Sequence, residues 1–349
     1  MFLVSRDAEA LRSGALRGAE VAHSRAYDTR MREHPISRRE ALVMGGAAAA
    51  LGAAGTLPAS ASISTHTRTA AQPVRSIAPG EPLQLRFAVK YGMVNVEAPL
   101  ADKFALLKRL GYDGIELDSP TALTAGEVHD ASAQTGLPVH GVVDGVHWNT
   151  RLSDHDQAVR DKGRAALEQA IRDSKAFGGS SVLLVPGVAG SSETENQQHV
   201  WERSIEQIHR VIPLAAELGI HILIENVWNR FCYDHDGGED QSADELARYI
   251  DAINSPWVGV YFDIGNHRKY GRPEEWIRRL GRRIVKCDVK DWGKTAGWSK
   301  IGEGDVDWPA VRKALRAIAF TGWCTAEVAG GGETQLREIK EQMDRCLRA

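Results

Sequence analysis

From Leu85 onward, short apolar runs alternate with amphipathic segments eight times, and this alternation restricts the chain to very few folds. The apolar runs are 85–91 (LRFAVKY), 113–118 (DGIELD), 138–143 (PVHGVV), 180–186 (SSVLLVP), 220–226 (IHILIEN), 257–263 (WVGVYFD), 283–289 (RIVKCDV) and 322–328 (GWCTAEV). Between them lie helical patterns such as 99–110, 157–177, 200–218, 243–253, 273–280 and 308–319. Several of these segments run into a glycine, at Gly111, Gly178, Gly219 and Gly322. Glycine tolerates the left-handed cap that turns a chain from helix back into sheet. Eight strand–helix units over about 260 residues predict an α/β protein with a single (β/α)8 TIM barrel. An open doubly wound sheet is the rival, but no Gly-x-Gly-x-x-Gly follows the first strand to favour it.

What precedes the barrel is of another kind. Ser37-Arg38-Arg39-Glu40-Ala41-Leu42 leads into an Ala/Gly-rich apolar run and then Ala59-Ser60-Ala61, a small-x-small cleavage pattern. The run is barely as long as the roughly 20 strongly apolar residues a membrane span requires. Residues 1–61 therefore read as a leader with a twin-arginine-type signal peptide, 62–84 as a flexible linker and 85–349 as the barrel. The expected location is periplasmic or extracellular, reached by the twin-arginine route, with no stable membrane span. Removing the leader leaves 35 basic against 40 acidic groups. That balance disfavours nucleic acid as a partner, because gripping a polyanion without sequence readout needs a basic excess. The four cysteines include no C-x-x-C pair, and Cys287 and Cys324 fall inside apolar strands, so no disulfide framework is expected.

Four acids close four successive predicted strands: Glu225, Asp263, Asp288 and Glu327. In a closed parallel barrel the strand ends face one another, so these acids form a pocket of hard oxygen ligands suited to one divalent metal ion. A single acid after a strand is usually a helix cap or a solvated charge. Acids at strands five through eight in unbroken order are harder to explain by capping. In strand seven, period-two alternation places Lys286, Asp288 and Lys290 on one face and Val285, Cys287 and Val289 on the other. The inward face is then charged, which is tolerated when charges are paired or metal-bound; an internal ion network without metal is the competing interpretation.

Taken together, Ile222-Leu-Ile-Glu225-Asn226, Tyr261-Phe-Asp263-Ile-Gly265-Asn-His267, Val285-Lys-Cys-Asp288-Val-Lys290-Asp291, Ile301-Gly-Glu-Gly-Asp305-Val-Asp307-Trp308 and Gly322-Trp-Cys-Thr-Ala-Glu327 resemble the sugar phosphate isomerase/epimerase superfamily, the xylose isomerase-like TIM barrels. Leu106-Leu-Lys-Arg-Leu-Gly111-Tyr-Asp-Gly114-Ile-Glu116 adds to the likeness, which covers roughly 85–347. The resemblance implies a divalent metal, Mn or Mg foremost with Co or Zn behind them, held by Glu225, Asp263, the strand-seven residue and Glu327. The family usually places His in an H-x-H-x-K-D pattern on strand seven, where this chain reads Lys286-x-Asp288-x-Lys290-Asp291. Asp288 is the ligand expected there, and an all-carboxylate site leans toward Mg or Mn.

The resemblance also implies a reaction. A divalent metal on a sugar's carbonyl and neighbouring hydroxyl acidifies the adjacent C–H and stabilises an enediolate. Glu225 and Glu327 would be the catalytic acid–base pair, one removing the proton and the other returning it. His267, Lys290, His140, His147, Glu116 and Lys90 are the candidate substrate-binding residues, and Trp148, Trp228 and Trp292 could stack on a sugar ring. Gly330-Gly331-Gly332 offers either an anion-binding loop or a simple turn. No convincing phosphate cradle is evident, so a free sugar or an oxidised derivative such as a keto-glycoside fits better than a phosphorylated one. The expected function is a metal-dependent sugar isomerase or epimerase acting on a small carbohydrate, with a homo-oligomer compatible. The alternatives are a 3-keto-glycoside lyase using the same groups, a non-catalytic carbohydrate-binding barrel, and, opposed by the shortage of His ligands, an apurinic-site endonuclease.

Overall fold

Eight parallel strands close on themselves. In a computed structural model describing residues 82–190 and 193–348, these are β1 (Leu85–Lys90), β2 (Gly114–Ser119), β3 (Val139–Asp144), β4 (Ser181–Leu184), β5 (His221–Glu225), β6 (Val258–Asp263), β7 (Ile284–Val289) and, after an antiparallel hairpin of β8 (Asp291–Gly293) and β9 (Gly297–Ser299), β10 (Gly322–Ala326). Their order around the barrel is β1-β10-β7-β6-β5-β4-β3-β2, so the expected (β/α)8 TIM barrel is the architecture found. The leader and nearly all of the linker, including Arg38 and Arg39, lie outside the described residues. Among the described residues no helix is long and apolar enough to cross a membrane.

The strands are joined by α1 (Leu100–Arg109), α2 (Ala125–Thr135), α3 (Gln157–Ala176), α4 (Gln197–Leu218), α5 (Asp244–Ile253), α6 (Pro273–Leu280) and α7 (Trp308–Ala317), and α8 (Glu333–Leu347) follows the last strand. Their starts are written in the sequence: Asp156, Asn196 and Asp307 each accept a first-turn backbone N–H of α3, α4 and α7. Outward-facing Phe87, Val89, Ile115, Ile224 and Phe262 pack against the inner faces of the helices in one apolar layer. Burying side chains of this size contributes about 1.5–3 kcal/mol each, so the layer fixes the strand ends rigidly enough to build a site on them.

Three local expectations change. Gly111, Gly178 and Gly219 do take the left-handed cap (φ +85°, +83° and +70°), but after α7 that cap falls on Ala319, at +53°, while Gly322 has a φ of +156°, outside the left-handed helical region. Helix α2 was not among the segments singled out, because AGEVHDASAQT is small and polar with little apolar periodicity. Its start is nonetheless marked by a capping box between Thr124 and Glu127. The third is in β7: its register with β6 runs Val260↔Ile284 and then Tyr261↔Lys286, a bulge that inserts Val285. Val285 therefore joins Leu183, Leu223 and Tyr261 in an inner apolar cluster, instead of sharing the outer face with Cys287 and Val289.

Candidate active site

The barrel's closure brings the four acids together. Glu225 and Asp263 end β5 and β6, Asp288 lies beside Asp263 in the β6–β7 register, and Glu327 follows β10, its backbone N–H donating to the Val289 carbonyl at 3.2 Å. One carboxylate oxygen from each lies within 4.8 Å of all the others, close enough for one cation to touch all four. Glu225, Asp263 and Asp288 are buried, and Glu327 is partly open to solvent. The Asp263 carboxylate is held from behind, its Oδ1 accepting the N–H groups of Gly265 and Asn266 at 2.8 and 2.7 Å, which leaves Oδ2 for the centre.

Two ammonium groups reach into this cluster. Lys90 Nζ lies 3.1 Å from Glu116 Oε2, 3.1 Å from Asp288 Oδ2 and 3.8 Å from Glu327 Oε1, and Lys290 Nζ lies 3.1 Å from Asp263 Oδ2 and 2.6 Å from Glu327 Oε2. Burial would lower both lysines, but the carboxylates around them hold both well above the usual range. Burial likewise raises every acid of the cluster. At Glu327 the Lys290 and Lys90 charges prevail and hold it at about 2. At Glu225 burial and the Glu327 charge win, and at Asp263 and Asp288 burial outweighs the lysines, so all three are pushed up.

Five carboxylates, counting Glu116, thus share two lysines, and the excess negative charge is forced together. Asp288 Oδ1, sealed from solvent, has no hydrogen-bond partner among the described residues. A divalent cation would relieve both conditions, so the donor set fits one.

Asparagines orient this ring. Asn226 accepts the Asp263 N–H at 2.8 Å and donates to its carbonyl at 2.9 Å, while Asn266 donates to Glu225 Oε1 at 3.1 Å and accepts from Lys290 at 3.3 Å. His267 lies behind them, its Nδ1 3.2 Å from Asn226 Nδ2 and its ring against Tyr233 and Trp276. Burial pushes it down to about 3, so it is neutral. His147 is buried beside Trp148, takes the Val185 N–H on Nδ1 at 3.4 Å and is also pushed by burial to about 3. His140 and Glu116 sit inside the barrel, His140 stacked on Trp323 and Glu116 between Lys90 and Tyr261.

The loop after β7 forms an aromatic edge to the site. Trp298 of β9 stands 5.0 Å from Trp228 and 5.6 Å from Lys290 Nζ, with Trp292 6.4 Å from Trp228. Trp228 Nε1 donates to the carbonyl of Asn266, the residue that orients Glu225. Trp298 keeps 44% of its surface exposed, unusual for an indole beside so many charges. The Gly330-Gly331-Gly332 run, which follows the neighbouring strand β10, closes on the loop after β1. A Cβ on Gly330 would stand 2.2 Å from the Met93 carbonyl, and the Gly331 N–H donates to that carbonyl at 3.0 Å. It is a packed turn whose central N–H is already engaged.

Residues 104–349 match the model of the xylose isomerase-like TIM barrel. This chain belongs to that family. Among relatives, an L-ribulose-5-phosphate 3-epimerase of Escherichia coli (strain SMS-3-5 / SECEC) is 23% identical over 241 residues, covering 63% of this chain and 79% of the relative. Among solved structures, a D-psicose 3-epimerase superposes with a TM-score of 0.62 at 17% identity, covering 76% of this chain and 100% of that one. A 3-keto-D-glucoside 4-epimerase from E. coli superposes with a TM-score of 0.61 at 15% identity, covering 76% and 98%. At these identities the two structures speak to the fold.

Within this xylose isomerase-like barrel, several site groups were not anticipated. Asn226 and Asn266 stood inside motifs quoted above, each next to an acid, which was the available signal. Tyr261 and Thr325 lay on the inward phase of their strands. Asp144 ends β3 one residue beyond the predicted strand end at 143. Burial pushes its carboxyl up to about 7, against a single opposing contact from the Val146 N–H at 3.4 Å. A raised carboxyl binds its proton more tightly in the folded chain, so stability falls as pH climbs from about 4 to about 7, by on the order of 2–4 kcal/mol. Asp144→Asn is expected to stabilise the protein at pH 8 by a comparable amount and to leave it unchanged at pH 4, read by calorimetry. An equal effect at both pH values would show that ionisation of Asp144 is not the cause.

Proposed function

We propose that this chain is a divalent-metal-dependent sugar epimerase or isomerase that moves a proton at the carbon beside a sugar carbonyl. The observation that carries the reading is the convergence of Glu225, Asp263, Asp288 and Glu327 within 4.8 Å of one another, over-supplied with negative charge even with Lys90 and Lys290 in contact. These four acids would hold the ion, and hard carboxylate donors favour Mg or Mn. When bound, such an ion supplies Lewis-acid polarisation of the sugar carbonyl.

The remaining work falls to the chain's own residues. Glu225 and Glu327 stand on β5 and after β10, with β6 and β7 between them, so they approach the pocket from separate positions on the rim. Glu327, held ionised by Lys290 and Lys90, takes the proton from carbon; Glu225, with β6 and β7 between it and Glu327, is the second carboxyl placed to return one to the enediolate. Asn266 fixes the Glu225 side chain, and Lys290 keeps Glu327 aimed at the centre. The sugar epimerases among the relatives and neighbouring folds support the same class of reaction.

The exposed Trp298 beside Lys290 favours a second reading on the same groups: a 3-keto-glycoside whose aglycone lies against the indole and leaves by β-elimination after the same proton is removed. The packed Gly330-Gly331-Gly332 turn, and the export expected from Ser37-Arg38-Arg39, both support an unphosphorylated substrate. Incubating the protein in D2O with ketoses and 3-keto-glycosides, with and without a chelator, decides between the readings. Deuterium uptake with the carbon skeleton intact supports epimerisation, release of free aglycone supports the lyase, and neither outcome from any sugar would remove both.

A further inference from the structure

Below the acid cluster runs a chain of buried polar groups that the proposed chemistry does not use. Lys286 Nζ lies 3.0 Å from His140 Nδ1 and 2.6 Å from the His140 carbonyl; His140 Nε2 lies 3.1 Å from Thr325 Oγ1, and Thr325 Oγ1 2.8 Å from the Tyr261 hydroxyl. The Tyr261 hydroxyl then donates to Glu116 Oε1 at 3.1 Å, and Lys90 donates to Glu116 Oε2 at 3.1 Å. From Lys286 to Glu116 every residue is buried.

Counting protons gives the chain one direction. A hydroxyl carries one proton, and a carboxylate only accepts, so the Tyr261 proton is committed to Glu116. The Tyr261 oxygen must then accept the Thr325 proton, since two lone pairs would otherwise meet at 2.8 Å. With its proton spent, Thr325 accepts from His140, whose Nε2 therefore carries the N–H. A neutral imidazole has one N–H, which leaves Nδ1 bare to accept from Lys286. Burial and the Lys286 and Lys90 charges hold His140 well below its usual range, in keeping with a neutral ring.

The chain ends where it matters to the site. Glu116 is one of three carboxylates sharing Lys90, the others being Asp288 at 3.1 Å and Glu327 at 3.8 Å. Were Glu116 neutral or free to swing away, the Lys90 charge would settle on Asp288 and Glu327 alone, two of the groups a cation needs. We infer that Glu116 is a positioning residue, its carboxylate fixed by the directed chain His140–Thr325–Tyr261 so that it shares Lys90 with the Asp288 and Glu327 oxygens and leaves more of their negative charge to a divalent cation. This consequence rests on the metal reading given above; the proton order does not.

Two measurements on the full chain test it. In protein with 15N-labelled histidine, the His140 signals, identified by their loss in His140→Gln, should report a neutral ring protonated on Nε2; a ring protonated on Nδ1, or an imidazolium, would overturn the proton order. Mn(II) binding is then followed by electron paramagnetic resonance in Glu116→Gln and Tyr261→Phe, with melting curves recorded beside it. Loss of a group supporting the ligands typically weakens metal binding about 10- to 100-fold, the result expected for Glu116→Gln, with a smaller loss of the same sign for Tyr261→Phe. A merely structural role would lower the melting temperature and leave Mn(II) affinity unchanged, and that result in either folded variant would overturn the inference. If Glu116→Gln does not fold, Tyr261→Phe, which removes one hydroxyl, carries the test. Failure of the unaltered protein to bind Mn(II) would instead remove the metal reading and the positioning role with it.

Discussion

Glu327→Gln is expected to slow solvent proton exchange into the substrate by about 10³-fold while the barrel still folds. A positioned general base contributes typically 10²–10⁴-fold, and about 10³ corresponds to roughly 4 kcal/mol of transition-state stabilisation. Glutamine keeps the size of the side chain and removes its basicity. The fold should be indifferent, because Lys290 retains Asp263 at 3.1 Å and Asn266 at 3.3 Å, and Lys90 retains Glu116 and Asp288. Because Glu327 also belongs to the cation-holding set, the comparison is made at saturating Mn(II), with kcat and KM measured separately. The loss should fall on kcat, since the base acts in the transition state. Exchange within tenfold of the unaltered protein would remove Glu327 from the acid–base role.

Asp291→Ala is expected to have the largest effect on stability, about 3–5 kcal/mol, and to disorganise the loop that carries Trp292 and Trp298. The Asp291 carboxylate is buried and accepts four hydrogen bonds: from the Trp292 and Val306 N–H groups at 2.9 and 3.2 Å on Oδ1, and from the Gly302 N–H and the Trp308 indole at 2.9 Å each on Oδ2. Each buried donor left without a partner costs about 1–3 kcal/mol, with partial relaxation reducing the sum. The loop is built closely around this group: a Cβ on Gly304 would stand 2.2 Å from Asp291 Oδ1. For a domain of this size the loss corresponds to a fall in melting temperature of about 10 °C, with new proteolytic cleavage within 291–307. A melting temperature within about 2 °C of the unaltered protein would show that the four contacts do not hold the loop.

The barrel was legible because eight repeats of one pattern reinforce one another, so small errors in strand ends did not matter. The acid ring was legible for a related reason: strand-end position and residue type together specify it, and Glu225, Asp263, Asp288 and Glu327 do meet. The inner layer was less legible, because period-two alternation assumes an unbroken register. The β6–β7 bulge inserts Val285 into the interior beside Lys286, and no residue there announces it. The β8–β9 hairpin escaped notice because three-residue strands leave no periodicity to find. Lys90 and Glu116 were recognised as strand-end residues, but their pairing across β1 and β2 depends on register that a linear reading does not supply.

The central claim is that the acid ring holds a divalent ion, and its most direct test is metal stoichiometry by elemental mass spectrometry after loading with Mn(II) or Mg(II), beside a Glu225→Ala/Asp263→Ala double variant. The account predicts close to one ion per chain in the unaltered protein and none in the double variant, with both folded by circular dichroism. No bound ion in either protein after loading would contradict it, and would leave Lys90 and Lys290 as counter-charges of a carbohydrate-binding barrel.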